Sequence, residues 1–96
     1  MDPSTNLERS VAERAKCFAS LGDPARLGIL EHLRRDTHCL CEMQDDLGMA
    51  PNLLSYHMRI LREAGLVSGR RNGRRVEYRI ERKGFQALCG QLEAFG

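Results

Sequence analysis

Cys39 and Cys41 stand one residue apart in the stretch HCLCEMQDD, directly after His38. Thiolates select soft ions, Zn(II), Cd(II), Pb(II), Cu(I) or As(III), over hard cations. A thiol pair can also be oxidised or take up sulfane sulfur. Residues two apart on a regular helix point about 200° away from each other. The pair can therefore clasp one ion only where a first helical turn is irregular, and a helix start also favours thiolate through its dipole. His38, Cys17 and Cys89 are the alternatives for a third ligand. Cys17 falls late in the first predicted helix and Cys89 in the last, places where free cysteine commonly packs as a small hydrophobe. On a redox reading, the strained Cys-x-Cys ring makes a longer-range pair such as Cys17 and Cys89 the better disulfide candidate.

A second constellation suits a polyanion. Residues 59 to 83 carry nine Lys/Arg against three Asp/Glu, whereas residues 1 to 58 carry six against nine. In GRRNGRR, Arg70, Arg71, Arg74 and Arg75 crowd a tight turn, and arginine suits a narrow, electronegative minor groove. A basic block beside an acidic remainder points to nucleic acid, with a solvated charged face as the competing reading.

These residues need elements to place them. Residues 1 to 6 read as frayed. A helix is expected from about Leu7 to Leu21, stopped by Gly22. Asp23 as N-cap and Pro24 as first helical residue open a second helix, with Leu27, Leu30 and Leu33 as its buried stripe and Ile29 in support. A short third helix runs from Cys39 or Leu40 to Leu47 and ends at Gly48. A fourth begins near Pro51 and turns Leu54, Met58 and Leu61 inward. Alternation then replaces helical spacing, and Asn72-Gly73 signals a hairpin. Val76, Tyr78 and Ile80 share one of its faces. A last helix covers about Lys83 to Phe95, with Phe85, Leu88, Leu92 and Phe95 as its stripe.

Two short helices around a glycine turn, residues 39 to 64, form a helix-turn-helix signal. The second exposes Asn52, Ser55, Tyr56 and Arg59, types that hydrogen-bond base edges and phosphates. A basic hairpin directly after it gives the winged form. The expected fold is thus mainly α, a winged helix-turn-helix of order α-α-α-α-β-β-α, as one DNA-binding domain over residues 1–96. Ninety-six residues bury a modest core, so pairing with a second copy is expected. No apolar run suits a bilayer and the polar N-terminus is unlike a signal peptide, so the expectation is a cytoplasmic protein without a membrane partner. In a reducing compartment its four cysteines would pack, bind metal or sense redox state rather than form a disulfide framework.

The segments LGDPARLGILEHL, CLCEMQDDLG and NLLSYHMRILREAGLVSGRRNGRRVEYRI resemble, in order and spacing, the ArsR/SmtB family of bacterial metal-responsive repressors. The likeness runs from about Phe18 to Ile80. It implies a homodimer joined by the first and last helices, a fourth helix that reads the major groove of double-stranded operator DNA, and a hairpin wing. The family's Ser-x-x-x-x-Ser-x-His-Leu pattern falls on Ala50 to Met58, retaining Ser55 and His57 and placing Ala50 where a capping serine is usual. The resemblance thus adds His57 to the DNA-reading set, although its position near the core-facing side also fits a partly buried histidine bonded to backbone.

The resemblance also aligns Cys39-Leu40-Cys41 with the family's Cys-x-Cys site at the start of the third helix. The third thiol of the arsenic-sensing version falls on Gln44, and residues 1 to 16 lack the N-terminal cysteines of the cadmium/lead-sensing version. The Asp/His site on the last helix has no counterpart in KGFQALCGQLEAF. The implied function is a repressor released from its operator when arsenite or antimonite, As(III) or Sb(III), or Cd(II) or Pb(II), binds Cys39 and Cys41, with no organic cofactor. A thiol-redox or persulfide-sensing repressor of the same fold is the alternative. A small thiol oxidoreductase is a competing class, but no general base or cofactor motif accompanies the thiols. A purely structural or protein-interaction winged helix is a further one.

Overall fold

The computed structural model describes the backbone of residues 3–35 and 38–96 and the side chains of residues 11–35 and 39–96. Helix α1 spans Pro3–Ser20, beginning earlier than the expected Leu7. Helix α2, Pro24–Leu33, starts where the sequence places it: Asp23 is extended, and its Oδ1 accepts the N–H groups of Ala25 (2.8 Å) and Arg26 (3.4 Å). Its buried face is Ile29, Leu30 and Leu33, whereas Leu27 is 50% exposed. Ile29 and Leu33 lie four residues apart with Leu30 between them, and Leu27 sits about 200° around the helix from Ile29. The expected stripe through Leu27 is corrected accordingly.

A two-residue strand follows, β1 (His38–Cys39), and then α3 (Leu40–Leu47), ended by left-handed Gly48. Helix α4 covers Pro51–Glu63 and buries Leu54, His57, Met58 and Leu61. Ala50 makes no side-chain cap hydrogen bond, so α4 relies on Pro51 at its first turn. Strands β2 (Val67–Asn72) and β3 (Arg75–Ile80) form the hairpin, and α5 (Arg82–Glu93) closes the described chain.

The sheet order is β1-β3-β2, all antiparallel, with Cys39 opposite Glu77 and Asn72 opposite Arg75. The expected two-strand wing therefore has a third strand. The Asn72↔Arg75 pairing also centres the turn on Gly73 and Arg74, one residue later than the Asn72-Gly73 signal. Gly73 has φ of 67° and Arg74 has no positive φ, which matches a II′ loop with glycine at its first central position.

The core gathers Ile29, Met43, Leu54, Leu61 and Leu66 at full burial, with Met58, Val67, Tyr78 and Leu88 around them. It lies beneath α4 and the base of the hairpin, so the same packing that stabilises the fold fixes the two elements that face outward. No described helix is long and apolar enough to cross a membrane.

Candidate nucleic-acid interface and cysteine pair

Helix α4 is strongly two-sided. The inward positions Leu54, Met58 and Leu61 leave Asn52, Ser55, Tyr56 and Arg59 exposed. A notch of about 400 Å³ separates this face from β3, lined by Asn52, Ser55, Tyr56, Arg59, Arg62 and Tyr78. Arg62 and Tyr78 were not among the residues expected from sequence. Arg62 follows Arg59 by three, a spacing that keeps both on one face. Tyr78 is a sheet residue with a mostly buried ring, and its alternation gave no sign of the notch.

The wing is pinned at its base and open at its tip. Ser68 Oγ donates to Glu81 Oε1 (2.6 Å), and Arg79 Nε donates to Ser68 Oγ (3.4 Å) and lies 3.6 Å from Glu81. Near the tip, Asn72 Nδ2 donates to Glu77 Oε1 (3.1 Å). Arg70, Arg71, Arg74 and Arg75 are all exposed, and none is in an ion pair among the described residues. Glu77, opposite Arg70, is one carboxylate beside four guanidiniums, so the tip keeps an excess of positive charge that an anion relieves.

His57 follows the second of its two sequence readings, the buried one, rather than joining the exposed DNA-reading set. Its side chain is only 5% exposed, and Nδ1 lies 3.1 Å from Arg26 Nη1. The signal was present in the sequence: Leu54, His57, Met58 and Leu61 occupy i, i+3, i+4 and i+7, so His57 falls inside the apolar stripe. Its side chain is thus placed in the fold's interior, behind the exposed face.

Cys39 and Cys41 converge. Cys39 is extended, with φ of −87° and ψ of 161°, and acts as the N-cap residue of α3, while Cys41 lies in the first turn. This irregular start overcomes the divergence of a regular helix. The Cα atoms are 5.5 Å apart and the two sulfurs are joined as a disulfide. The sequence expectation favoured the longer pair, but Cys17 and Cys89 are both free. The correction has a local cause: one extended residue before a helix brings neighbouring side chains to the same side. Cys39 is 4% exposed and Cys41 is exposed, so a reagent reaches the pair from the Cys41 side.

Cys17 is half-buried, and its thiol lies 3.6 Å from the Ala64 carbonyl at the end of α4. Cys89 is exposed on α5. Among the described residues of one chain, no three His, Cys, Asp or Glu side chains are grouped to hold an ion. His38 as a ligand lies outside the described side chains.

Helix-turn-helix, three-stranded wing and the open arginine tip define a winged helix-turn-helix protein. Residues 23–68 match the family described as bacterial regulatory protein, arsR family. The chain is 41% identical over 61 residues to the HTH-type transcriptional repressor SmtB of Mycobacterium tuberculosis, covering 64% of this chain and 45% of that protein. It thus spans about half the length of that relative. An ArsR-like transcriptional regulator from Rhodococcus sp. RHA1 superposes with a TM-score of 0.83 at 29% identity, covering 91% of this chain and 82% of that one. The homodimeric winged helix-turn-helix DNA-binding domain of a possible ArsR-family regulator from Mycobacterium bovis has a TM-score of 0.77 at 25% identity, covering 99% and 85%. The chain belongs to the arsR family, whose members are transcriptional regulators rather than enzymes.

Proposed function

We propose that this chain is a cytoplasmic, homodimeric transcriptional repressor that binds double-stranded operator DNA and is released by thiol chemistry at Cys39 and Cys41. The observation that carries the DNA-binding half is the shared outward side of α4 and the wing, with Asn52, Ser55, Tyr56 and Arg59 on one and four unpaired arginines on the other. In a dimer, two α4 helices about 34 Å apart enter successive major grooves. Arg70, Arg71, Arg74 and Arg75 then lie against phosphates or in the adjoining minor groove. The exposed Val11, Leu92 and Phe95 on α1 and near α5 supply an apolar face for the second copy.

The effector half rests on the convergence of the two sulfurs at the origin of α3. The dithiol form offers two thiolates at one point to As(III), Sb(III), Cd(II) or Pb(II), with the remaining coordination supplied by solvent, an exogenous thiol or a partner subunit. An ion there bears directly on α3, which packs against α4. Loss of DNA affinity then equals the difference in ion affinity between the two conformations, on the order of 1–3 kcal/mol in typical coupled systems.

The bonded pair favours a second reading, in which Cys39 and Cys41 are themselves the switch. Two thiols lose two protons and two electrons to an oxidant such as a peroxide and form the Cys39–Cys41 disulfide. The disulfide form has no thiolate to offer a metal, so the two readings separate cleanly.

The deciding experiment titrates reduced protein on a promoter duplex with arsenite, antimonite, cadmium, lead and peroxide, read by fluorescence anisotropy. Metal or metalloid release that vanishes after oxidation supports the first reading, and release by peroxide alone supports the second. The Cys39→Ser, Cys41→Ser variant keeps DNA binding and loses both responses. Normal release in that variant places the effector site elsewhere.

A further inference from the structure

Helix α1 has no basic residue in its last turn to balance its terminal carbonyls. The cation comes instead from α2. Arg26 Nε donates to the Ser20 carbonyl at 2.6 Å, and Nη2 donates to the Ala19 carbonyl at 3.3 Å. The third arm of the same guanidinium, Nη1, points at His57 Nδ1, 3.1 Å away. A guanidinium carries donors only, so this contact is a hydrogen bond in the tautomer whose Nδ1 accepts and whose Nε2 carries the proton. His57 in turn makes an edge contact with the ring of Tyr56, centroids 5.2 Å apart, on the exposed face of α4.

One planar fork thus joins three helices. Its nitrogens are fixed relative to one another, so α4 cannot slide against the end of α1 without breaking a bond. Arg26 lies in the corner that also holds the Asp23 cap. We propose that Arg26 is a positioning residue for DNA recognition: through His57 it sets the placement of Asn52, Ser55, Tyr56 and Arg59 against α1. The inference rests on the DNA-binding reading above and adds to it the residue that aims the reading helix. Lysine, with one nitrogen, cannot hold both carbonyls and the imidazole in this geometry. Asparagine at 57 restores an acceptor on a short side chain, and leucine does not.

The experiment uses the reduced 96-residue chain and a duplex selected by the wild-type protein from a random-sequence pool, with a scrambled duplex as control. Arg26→Lys and His57→Leu lower affinity for the selected duplex about tenfold, the effect of one charge-assisted hydrogen bond, while scrambled-duplex affinity stays within about twofold. His57→Asn recovers most of the loss. In ¹⁵N spectra of the wild-type imidazole, Nδ1 is unprotonated and Nε2 carries the hydrogen, a signature that a packing role alone does not require. An Nδ1–H tautomer overturns the proposal. So does His57→Leu binding like wild type, or His57→Asn binding as weakly as His57→Leu. If Arg26→Lys fails to fold, the His57 pair and the spectrum still decide. A wild-type chain that shows no preference for any duplex overturns the DNA-binding reading itself, whereas a wild type that discriminates beside variants that do so equally well overturns only the role of Arg26.

Discussion

Two surfaces of this chain are left without partners, and they are chemical opposites. The wing tip and outer face of α4 expose Arg59, Arg70, Arg71, Arg74 and Arg75. The α1–α5 side exposes Val11, Leu92 at 58% and Phe95 at 83%, around an apolar hollow that also involves Ala15 and Phe18. Like charges at the tip repel, and apolar area left in water forgoes about 25 cal/mol per Å². The first is relieved by an anion and the second by hydrocarbon. The contrast teaches that the two surfaces serve different partners and fail in different ways when mutated.

The largest effect is expected from the apolar surface. Leu92→Glu places a charge where the side chain already meets solvent, so the fold of one chain survives. Sedimentation should show a monomer at micromolar concentration. Affinity for a two-half-site duplex should fall by about a hundredfold or more, because linked half-sites gain their strength from simultaneous engagement. A variant that stays dimeric with full affinity would break the division of labour between the two surfaces.

Arg74→Ala with Arg75→Ala is expected to act more evenly. Binding to selected and scrambled duplexes should weaken by similar factors, and the dependence of log affinity on log salt should flatten by about two units, roughly 0.9 for each phosphate released. The dimer should remain intact. An unchanged salt slope would remove the wing from the interface. A loss confined to one sequence would turn those arginines into base readers.

The sequence made the charged surface easier to see than the devices behind it. Nine basic residues in 25 positions, an Asp-Pro helix start and the glycines at 48 and 73 carry strong local signals, so helix order and wing were legible. Strand β1 was not, since two residues have no period. Leu27 falls off the buried face because a three-residue spacing drifts around the helix, and Ile29 takes its place. The sulfur convergence depended on one extended residue at Cys39, a backbone state that composition does not reveal. The core-facing place of His57 was legible from its position between Leu54 and Leu61. Its link to Arg26 spans 31 positions, and only the folded chain brings the two together.

The smallest expected effect concerns the corner where Arg26 meets α1 and α4. The Asp23 carboxylate accepts the Ala25 N–H, the main cause of its lowered pKa. Partial desolvation opposes the shift, and the Arg26 N–H and guanidinium reinforce it. A carboxyl whose pKa is lower folded than unfolded binds more protons in the unfolded chain, so stability rises with pH through that window. The contribution is complete above the unfolded carboxylate range, near pH 5 and beyond, and is lost as pH falls through the folded value. Asp23→Asn keeps an acceptor at the cap but cannot titrate. Its thermal midpoint should lie below wild type by a constant amount from neutral pH to about pH 5, and the two curves should converge below about pH 4. Added salt should narrow the gap, since the cap lies at the surface. A gap that stays constant down to pH 3 would show that the carboxylate charge plays no part in holding the start of α2, and with it the backbone from which Arg26 reaches His57.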